Sequence, residues 1–407
     1  MTKNFSKFLL FAPCGAFILL NFLSAYYIVT NGTYNGDFDG IPTVHSKFEI
    51  WFYAGIASIP YLILYYIILK TAPMNVEPIR LPKLFIFFGF MVLILTLALT
   101  LNYNVGMVGK GLYSVPGLMK PLVVLINRID TVTLAGIFIL SPYIKFRNMV
   151  LVTALLLCIS ILRGSLQSVP FVLLLLFYRS LMFDTHSLMP AKSKKLIIYT
   201  FLFILGLFLI YFAQTLYEIR DMVRGAAESI RKIPTTYEFI FGKLIGRFSN
   251  ISALLMFNGR YDLFYNRIEE LQDFSYLLDC LKYIWGSFIK IPIMNHYDYF
   301  TSILDPDAYG FYAMQTGVLP VMSLSMMKSP IIMIFDVLIT CLLVYYTVRL
   351  ATFFLGYSGK YLAMSLLIFA TLSGAPSQFS NPVFQLIVIM IIFLIIKYLV
   401  TTKGKTL

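Results

Sequence analysis

Residues 148–179 read NMVLVTALLLCISILRGSLQSVPFVLLLLFYR, and this stretch indicates the fold class. Two apolar runs, Met149–Leu162 and Val169–Phe183, flank a short polar turn that contains Arg163. A helix that crosses a bilayer completely needs about 20 apolar residues, so each of these runs is short for a span. We therefore expect two short membrane spans whose connecting turn lies below the outer membrane surface.

The rest of the chain repeats this apolar pattern. Of its 407 residues, 59% are hydrophobic and 13% are charged, about half the charged share of an ordinary soluble protein. The composition predicts an all-α polytopic membrane protein with about 10 transmembrane helices, or 11 to 12 if Phe311–Met326 forms a half-span, a re-entrant segment or an extra helix. The predicted spans are Phe8–Val29, Trp51–Leu69, Leu84–Leu101, Leu125–Ile144, Met149–Leu162, Val169–Phe183, Leu196–Ala213, Pro330–Val348, Tyr361–Leu372 and Val383–Val400.

The net charge of +13 suggests a nucleic-acid partner, but the placement of the charges argues against one. The short loops on one side carry only Lys47, Lys110, Lys120 and Arg128, whereas the other side receives most of the remaining basic residues outside the long late loop. By the positive-inside rule, both termini are expected to be cytoplasmic. The four cysteines show no disulfide or metal-binding spacing.

Arg163 is an unusual residue for the middle of an apolar region. An arginine at membrane depth costs at least about 2.5–3.5 kcal/mol on insertion scales, so it needs a partner. Gly164 would let the chain turn, and Ser165, Gln167 and Ser168 would add hydrogen-bonding groups around the guanidinium. That arrangement favours a phosphate or a carboxylate ligand. The alternative is that Arg163 extends to the outer surface or pairs with Asp130.

A long segment of different character, Gln214–Ser329, separates the early spans from the late ones. We expect three regions: N-terminal spans at 1–213, an external loop at 214–329, and C-terminal spans at 330–407. The stretches TYEFIFGKLIGRFSNISALLMF and LFYNRIEELQDFSYLLDCLKYIW have helical apolar periodicity. We expect both to lie on the membrane or over the spans, as parts of a lid or binding element.

Six arginines in this external loop indicate a polyanionic ligand: Arg220, Arg224, Arg231, Arg247, Arg260 and Arg267. The loop then ends in NHYDYFTSILDPDAYGFYAMQTG, which holds the candidates for a general base or, alternatively, a simple turn at DPDAYG. Those candidates are His296, Asp298, Asp305 and Asp307. The aromatic residues Tyr297, Tyr299, Phe300, Tyr309 and Tyr312 could stack on sugar rings or form an interfacial belt.

Three local motifs resemble a known family. RGSLQSVPFVLLLLFY is similar to the start of a characteristic span, FNGRYDLFYNRIEEL to an SGR-containing loop segment, and NHYDYFTSIL…YAMQTGVLPVM to the end of that loop. With the many spans and one large late loop, these motifs resemble the bacterial Wzy-type O-antigen and capsule repeat-unit polymerases, relatives of the O-antigen ligases.

The resemblance implies a glycosyltransferase of the inner membrane with its active site facing the periplasm. Its substrates would be oligosaccharide repeat units linked to undecaprenyl pyrophosphate, with a separate chain-length regulator as a partner and no cofactor or metal. Arg163 would hold the pyrophosphate, and Arg224, Arg247 and Arg260 would close on it from the loop. Asp305, Asp307 or His296 would take the acceptor proton.

Three other functions stay open. The D-x-D pair Asp37 and Asp39 in NGDFDG could bind a metal in a polyprenyl-phosphate-sugar transferase, or could be a simple turn. A flippase for lipid-linked sugars is a second alternative, although no paired internal repeat is visible. An O-antigen ligase, which needs a lipid A core acceptor, is the third.

Overall fold

The computed structural model describes residues 3–106, 115–163, 168–183, 238–267, 275–285, 296–304 and 316–403. Throughout these ranges the regular structure is helical, with two isolated bridging pairs, Thr33–Pro42 and Pro78–Leu355. The chain divides into two compact units. The first contains Met1–Arg80 and Ile240–Leu407, and the second contains Leu81–Phe239.

The α-helices of the described ranges follow one another along the chain, and all but α3–α7 belong to the first unit. They are α1 (Lys3–Asn31), α2 (Lys47–Lys70), α3 (Lys83–Tyr103), α4 (Lys120–Asn127), α5 (Thr131–Leu140), α6 (Phe146–Leu162), α7 (Ser168–Phe183), α8 (Ile251–Gly259), α9 (Tyr261–Asn266), α10 (Tyr276–Trp285), α11 (His296–Leu304), α12 (Val318–Lys328), α13 (Pro330–Leu355), α14 (Gly359–Ser373) and α15 (Pro376–Lys403). Short 3₁₀ turns lie at Gly36–Phe38, Gly117–Met119 and Gly356–Ser358, and a π-helical segment at Glu238–Ile245.

Among these helices are stretches that are long and apolar enough to cross a membrane. They are Phe5–Asn31, Lys47–Lys70, Lys83–Tyr103, Pro330–Ser373 and Pro376–Thr401. Capping residues lie at the start of two of them. Ser46 and Glu49 form a reciprocal capping box at the start of α2, and Ser329 caps α13, whose first residue is Pro330. The all-α membrane class is thus supported, whereas the count of about ten spans stays a prediction.

Several apolar helices are shorter than a full span. The 17-residue α6 rises about 25 Å, which is less than the roughly 30 Å of a hydrocarbon core. The 16-residue α7 is similar, as the sequence predicts for the two runs on either side of Arg163. The 11-residue α12 begins inside the ambiguous segment Phe311–Met326 and ends just beyond it, at Lys328, and its length is that of a half-span. The expected span Leu196–Ala213 lies outside the described residues.

The expectation of one continuous span at Leu125–Ile144 is wrong. The chain leaves α4 after Asn127 and starts α5 at Thr131, because Asp130 caps the new helix. The carboxylate of Asp130 accepts hydrogen bonds from the Val132 nitrogen at 3.2 Å and from the Thr133 nitrogen and hydroxyl at 2.9 and 2.7 Å. The ten-residue α5 rises only about 15 Å, too little to cross a bilayer.

The first amphipathic stretch also differs from its prediction. It is divided into the π-helical segment Glu238–Ile245 and α8, and all residues of α8 from Ile251 to Phe257 are buried. A helix that is buried on every side is a core element rather than a surface helix. It packs against α1, α2 and α12 within the first unit.

The second stretch likewise forms two helices, α9 and α10, rather than one. Phe264 and Tyr276 are buried as its periodicity predicts, but Leu278 is exposed. Ile268 and Leu271 lie outside the described residues. The periodicity therefore identifies the buried face correctly at two positions and wrongly at a third.

Candidate functional site

Arg163 lies at the C-terminal end of α6, half-buried inside the second unit. Its Nε donates a hydrogen bond to the Thr100 hydroxyl at 3.3 Å, and its guanidinium lies against Gly106. The pairing with Asp130 that the sequence left open is replaced by these contacts, because the Asp130 carboxylate caps α5. Ser168 is buried at the start of α7, and Gly164, Ser165 and Gln167 lie outside the described residues.

Arg247 forms an ion pair with Asp37, a contact that the sequence analysis did not predict. Nε and Nη2 of Arg247 lie 3.0 and 2.9 Å from the same carboxylate oxygen of Asp37. The Asp37 side chain is 7% exposed and the Arg247 side chain is 33% exposed, so the guanidinium keeps an open side. An anionic ligand of Arg247 would therefore have to share it with Asp37, and a metal at Asp37 would have to displace the guanidinium.

Two glycines let the loop between α1 and α2 approach Arg247. A Cβ built on Gly246 would lie 2.2 Å from the Gly36 nitrogen, which shows that the two backbones touch. Asp39 lies beside Gly242 instead. Its carboxylate is 3.3 Å from the position that a Cβ on Gly242 would occupy. Within the described part of the chain, no group of three or more His, Cys, Asp or Glu residues has a metal-binding arrangement. The two carboxylates of the D-x-D pair thus have separate environments.

Arg260 and Arg267 both contact the C-terminal end of α11. Nη1 of Arg260 donates to the carbonyl oxygen of Leu304 at 3.4 Å, and Nη1 of Arg267 donates to that of Ser302 at 3.3 Å. Cations are favourable at a helix C-terminus, where the last carbonyls carry partial negative charge. The hydroxyl of Tyr299 also donates to backbone oxygens of Phe264 and Arg267, which joins α11 to α9.

Of the other predicted site residues, one lies within the described part of the chain and three do not. His296 is the first residue of α11, whereas Arg224, Asp305 and Asp307 lie outside the described residues. Arg163 belongs to the second unit, and Arg247 and Arg260 belong to the first, so their predicted convergence stays a prediction. Both roles expected for Tyr299 and Phe300, stacking on sugar rings or an interfacial belt, are wrong, because both side chains are completely buried in the core of the first unit.

His45 is a candidate functional residue that the sequence analysis missed. Its side chain is 6% exposed, its Nε2 donates to the Leu255 carbonyl oxygen at 2.9 Å, and its Nδ1 lies 4.0 Å from Glu49. The Glu49 carboxylate is fixed by hydrogen bonds from the Ser46 nitrogen and hydroxyl at 2.7 and 2.8 Å. His45 thus connects the start of α2 to the last turns of α8, directly before Arg260. The signal in the sequence was the His-to-Glu spacing of four residues in HSKFE.

Comparison of the chain with protein-family models, with curated proteins and with solved structures finds no match.

Proposed function

We propose that this protein is a membrane-embedded glycosyltransferase that polymerises oligosaccharide repeat units linked to undecaprenyl pyrophosphate. The reaction takes place on the periplasmic face of a bacterial inner membrane. A hydroxyl of the acceptor unit attacks the anomeric carbon of the lipid-linked donor chain. The bond between that carbon and the pyrophosphate oxygen breaks, undecaprenyl pyrophosphate leaves, and a base takes the hydroxyl proton.

One observation carries the proposal: the contact of Arg260 with the Leu304 carbonyl. Asp305 follows Leu304 directly, and Cα atoms of consecutive residues are about 3.8 Å apart. The contact therefore joins Arg260, which is predicted to bind the pyrophosphate, to Leu304, the neighbour in sequence of the predicted general base Asp305. Arg267 makes a similar contact with the carbonyl of Ser302, two residues earlier on α11, which adds a second cation to the same helix end.

Arginines suit the leaving group of this reaction. The departing pyrophosphate gains negative charge in the transition state, and fixed guanidinium groups stabilise such charge best in a site that excludes water. Arg163, Arg224 and Arg260 are the predicted pyrophosphate-binding residues. Arg247 would join them when the incoming anion replaces Asp37 as its partner. Asp305 is the preferred base, with Asp307 and His296 as the alternatives.

The test is polymerisation by the purified protein in lipid nanodiscs. A synthetic undecaprenyl-pyrophosphate-linked repeat unit should give a ladder of products on a gel, with or without a chelator. Arg163→Lys and Arg260→Lys should each collapse the ladder although the charge is kept, because lysine lacks the planar fork that binds a phosphate through two hydrogen bonds. Arg349→Lys is the matched control, since Arg349 also donates to a backbone carbonyl, that of Ala72, at 3.4 Å.

Other outcomes would reject the proposal in favour of a specific alternative. Movement of the lipid-linked unit across a vesicle membrane without growth of the glycan would indicate a flippase. Transfer to a lipid A core without a ladder would indicate a ligase. A ladder abolished by Asp37→Ala and by chelation, but unchanged by Arg163→Ala, would indicate the metal-dependent transferase. In cells, loss of a polymerase leaves a surface glycan of one repeat unit, whereas loss of a ligase leaves none.

A further inference from the structure

Helix α9 presents two exposed tyrosines with nearly parallel rings. Tyr261 and Tyr265 are 45% and 55% exposed, their ring centroids are 6.3 Å apart, and their planes differ by only 16°. No hydrogen bond of either phenol oxygen to another described residue is present. Residues four apart on a helix lie on the same face, so the two rings lie together on one exposed side of α9.

The core of the first unit holds this surface in place. Phe264, between the two tyrosines in sequence, is fully buried and packs on Phe257 and Phe300 with centroid distances of 4.8 and 5.2 Å. The ring of Tyr261 also meets the buried Phe257 edge-on at 6.3 Å and 83°. Because Tyr261 and Phe264 fix α9 to the buried aromatic core through three ring contacts, the exposed rings are preorganised for binding.

The neighbouring stripe of α9 is polar. Asp262 and Asn266 are both exposed and lie four residues apart, next to the tyrosine pair. A carboxylate and an amide can accept and donate hydrogen bonds to hydroxyl groups, while the face of an aromatic ring packs against the apolar C–H face of a sugar. The combination fits a polyhydroxylated ring better than an anion, because the carboxylate would repel a phosphate.

We propose that Tyr261 and Tyr265 form a stacking surface for sugar rings, with Asp262 and Asn266 binding the sugar hydroxyls. We name these four residues the α9 platform. Its ligand is the oligosaccharide part of the lipid-linked substrate, an identification that rests on the proposed function. A bilayer headgroup region is the other possible occupant of exposed tyrosines. The exposed carboxylate of Asp262, and the position of α9 outside the apolar stretches long enough to span a membrane, favour the glycan.

The first experiment measures binding without any reaction. The probe is the lipid-free oligosaccharide released by mild acid from the undecaprenyl-linked repeat units of cells that carry the gene. Binding to the protein in nanodiscs is followed by saturation-transfer NMR. The double variant Tyr261→Ala/Tyr265→Ala should bind about tenfold more weakly, and the double Trp variant should keep its affinity. Tyr345→Ala/Tyr346→Ala is the matched control, since that pair is 39% and 51% exposed but lies in the spanning stretch Pro330–Ser373, with its rings at 79°.

A second experiment places the platform relative to the lipid. Tyr261→Trp is introduced into a chain in which Trp51 and Trp285, the two natural tryptophans, are replaced by Phe. Its fluorescence should be unaffected by brominated lipids and should change when the oligosaccharide is added. Quenching by brominated lipids would show that the rings contact the bilayer and would overturn the proposal, as would unchanged glycan binding by the double Ala variant.

The polymerase proposal and the α9 platform proposal can be rejected independently of each other. Tyrosine-dependent glycan binding by a protein that makes no ladder would support the platform and reject the polymerase. A ladder that is equally efficient with the double Ala variant at every substrate concentration would reject the platform and leave the polymerase standing. A raised KM for the acceptor with an unchanged kcat would support the platform, because it removes binding and not chemistry.

Discussion

The guanidinium of Arg163 lies against the backbone of Gly106. A Cβ on Gly106 would be 2.7 Å from Nε and 2.8 Å from Cζ of Arg163, closer than side-chain atoms can approach. Gly106 also has a φ of +79°, in the left-handed region that other residues rarely adopt. The position of Arg163 therefore depends on a glycine 57 residues earlier in the chain, because 163 − 106 is 57.

The first prediction concerns this contact. Gly106→Ala should destabilise the protein by about 2 kcal/mol, since it adds left-handed backbone strain of roughly 1–2 kcal/mol and displaces the guanidinium. Thermal unfolding in detergent measures the loss. Gly117→Ala is the control, because a Cβ at Gly117 meets no atom within 4 Å. Equal stabilities of the two variants would contradict the described contact, and Arg163→Ala should relieve part of the cost of Gly106→Ala.

The second prediction concerns the Asp37–Arg247 pair. A double-mutant cycle with Asp37→Ala and Arg247→Ala should give a coupling energy of about 1 kcal/mol, because the aspartate is nearly buried while the arginine keeps a solvent-exposed side. Denaturant unfolding in detergent provides the energies. A parallel cycle with Asp39→Ala and Arg247→Ala should be additive, since Asp39 lies against Gly242 instead. Additivity in the Asp37 cycle as well would show that the pair contributes nothing.

The third prediction concerns Arg179, which caps the end of α5 from α7. Its guanidinium donates to the carbonyl oxygens of Ile139, Ser141 and Ile144, the last two at 2.8 and 3.0 Å. Arg179→Lys should destabilise the second unit by roughly 2–3 kcal/mol, because one ammonium cannot reach three carbonyls and buried acceptors lose charged partners. Hydrogen exchange at 139–145 should accelerate. Arg147→Lys, at an exposed arginine, should leave the exchange unchanged.

The fourth prediction concerns pH. Burial, and secondarily the charges of Asp279 and Asp336, raise the pKa of Cys280 to about 12. In a chain with Cys14, Cys158 and Cys341 replaced by Ala, a maleimide at pH 8 should label Cys280 only after denaturation. Because the folded-state pKa is above the ordinary value of 9.0, this group adds stability that is present below pH 9 and lost between pH 9 and pH 12.

The control for this effect is Cys280→Ala, whose melting temperature should fall less steeply over the same pH range. Rapid labelling of the native protein at pH 8 would contradict the burial of this thiol. So would identical pH profiles of the two proteins. The Cys280 sulfur contacts the Pro376 carbonyl at 3.6 Å, so loosening of α10 from α15 is the structural event that labelling would report.

Part of the site could be predicted from local patterns. The run of apolar residues on either side of Arg163 indicated short helices that end near it, and α6 does end at Leu162. The partners of the arginines could not be predicted, because they come from distant parts of the chain. Asp37 is 210 residues from Arg247, and Leu304 is 44 residues from Arg260. Many carboxylates and carbonyls in a sequence could serve equally well until the chain brings one of them close.

The class of this protein can be recognised from its amino-acid sequence alone. A bilayer requires long helical runs of apolar residues with all backbone hydrogen bonds made internally, and that requirement can be recognised in any single segment. Which apolar segments break and which side chains are buried depends on the tertiary structure. Asp130 divides an apolar run because its carboxylate caps a new helix, and Tyr299 enters the core rather than a sugar site because α9 and α11 pack together. Both outcomes depend on contacts that a residue makes with its neighbours in space, and hydropathy averaged along the chain does not contain them.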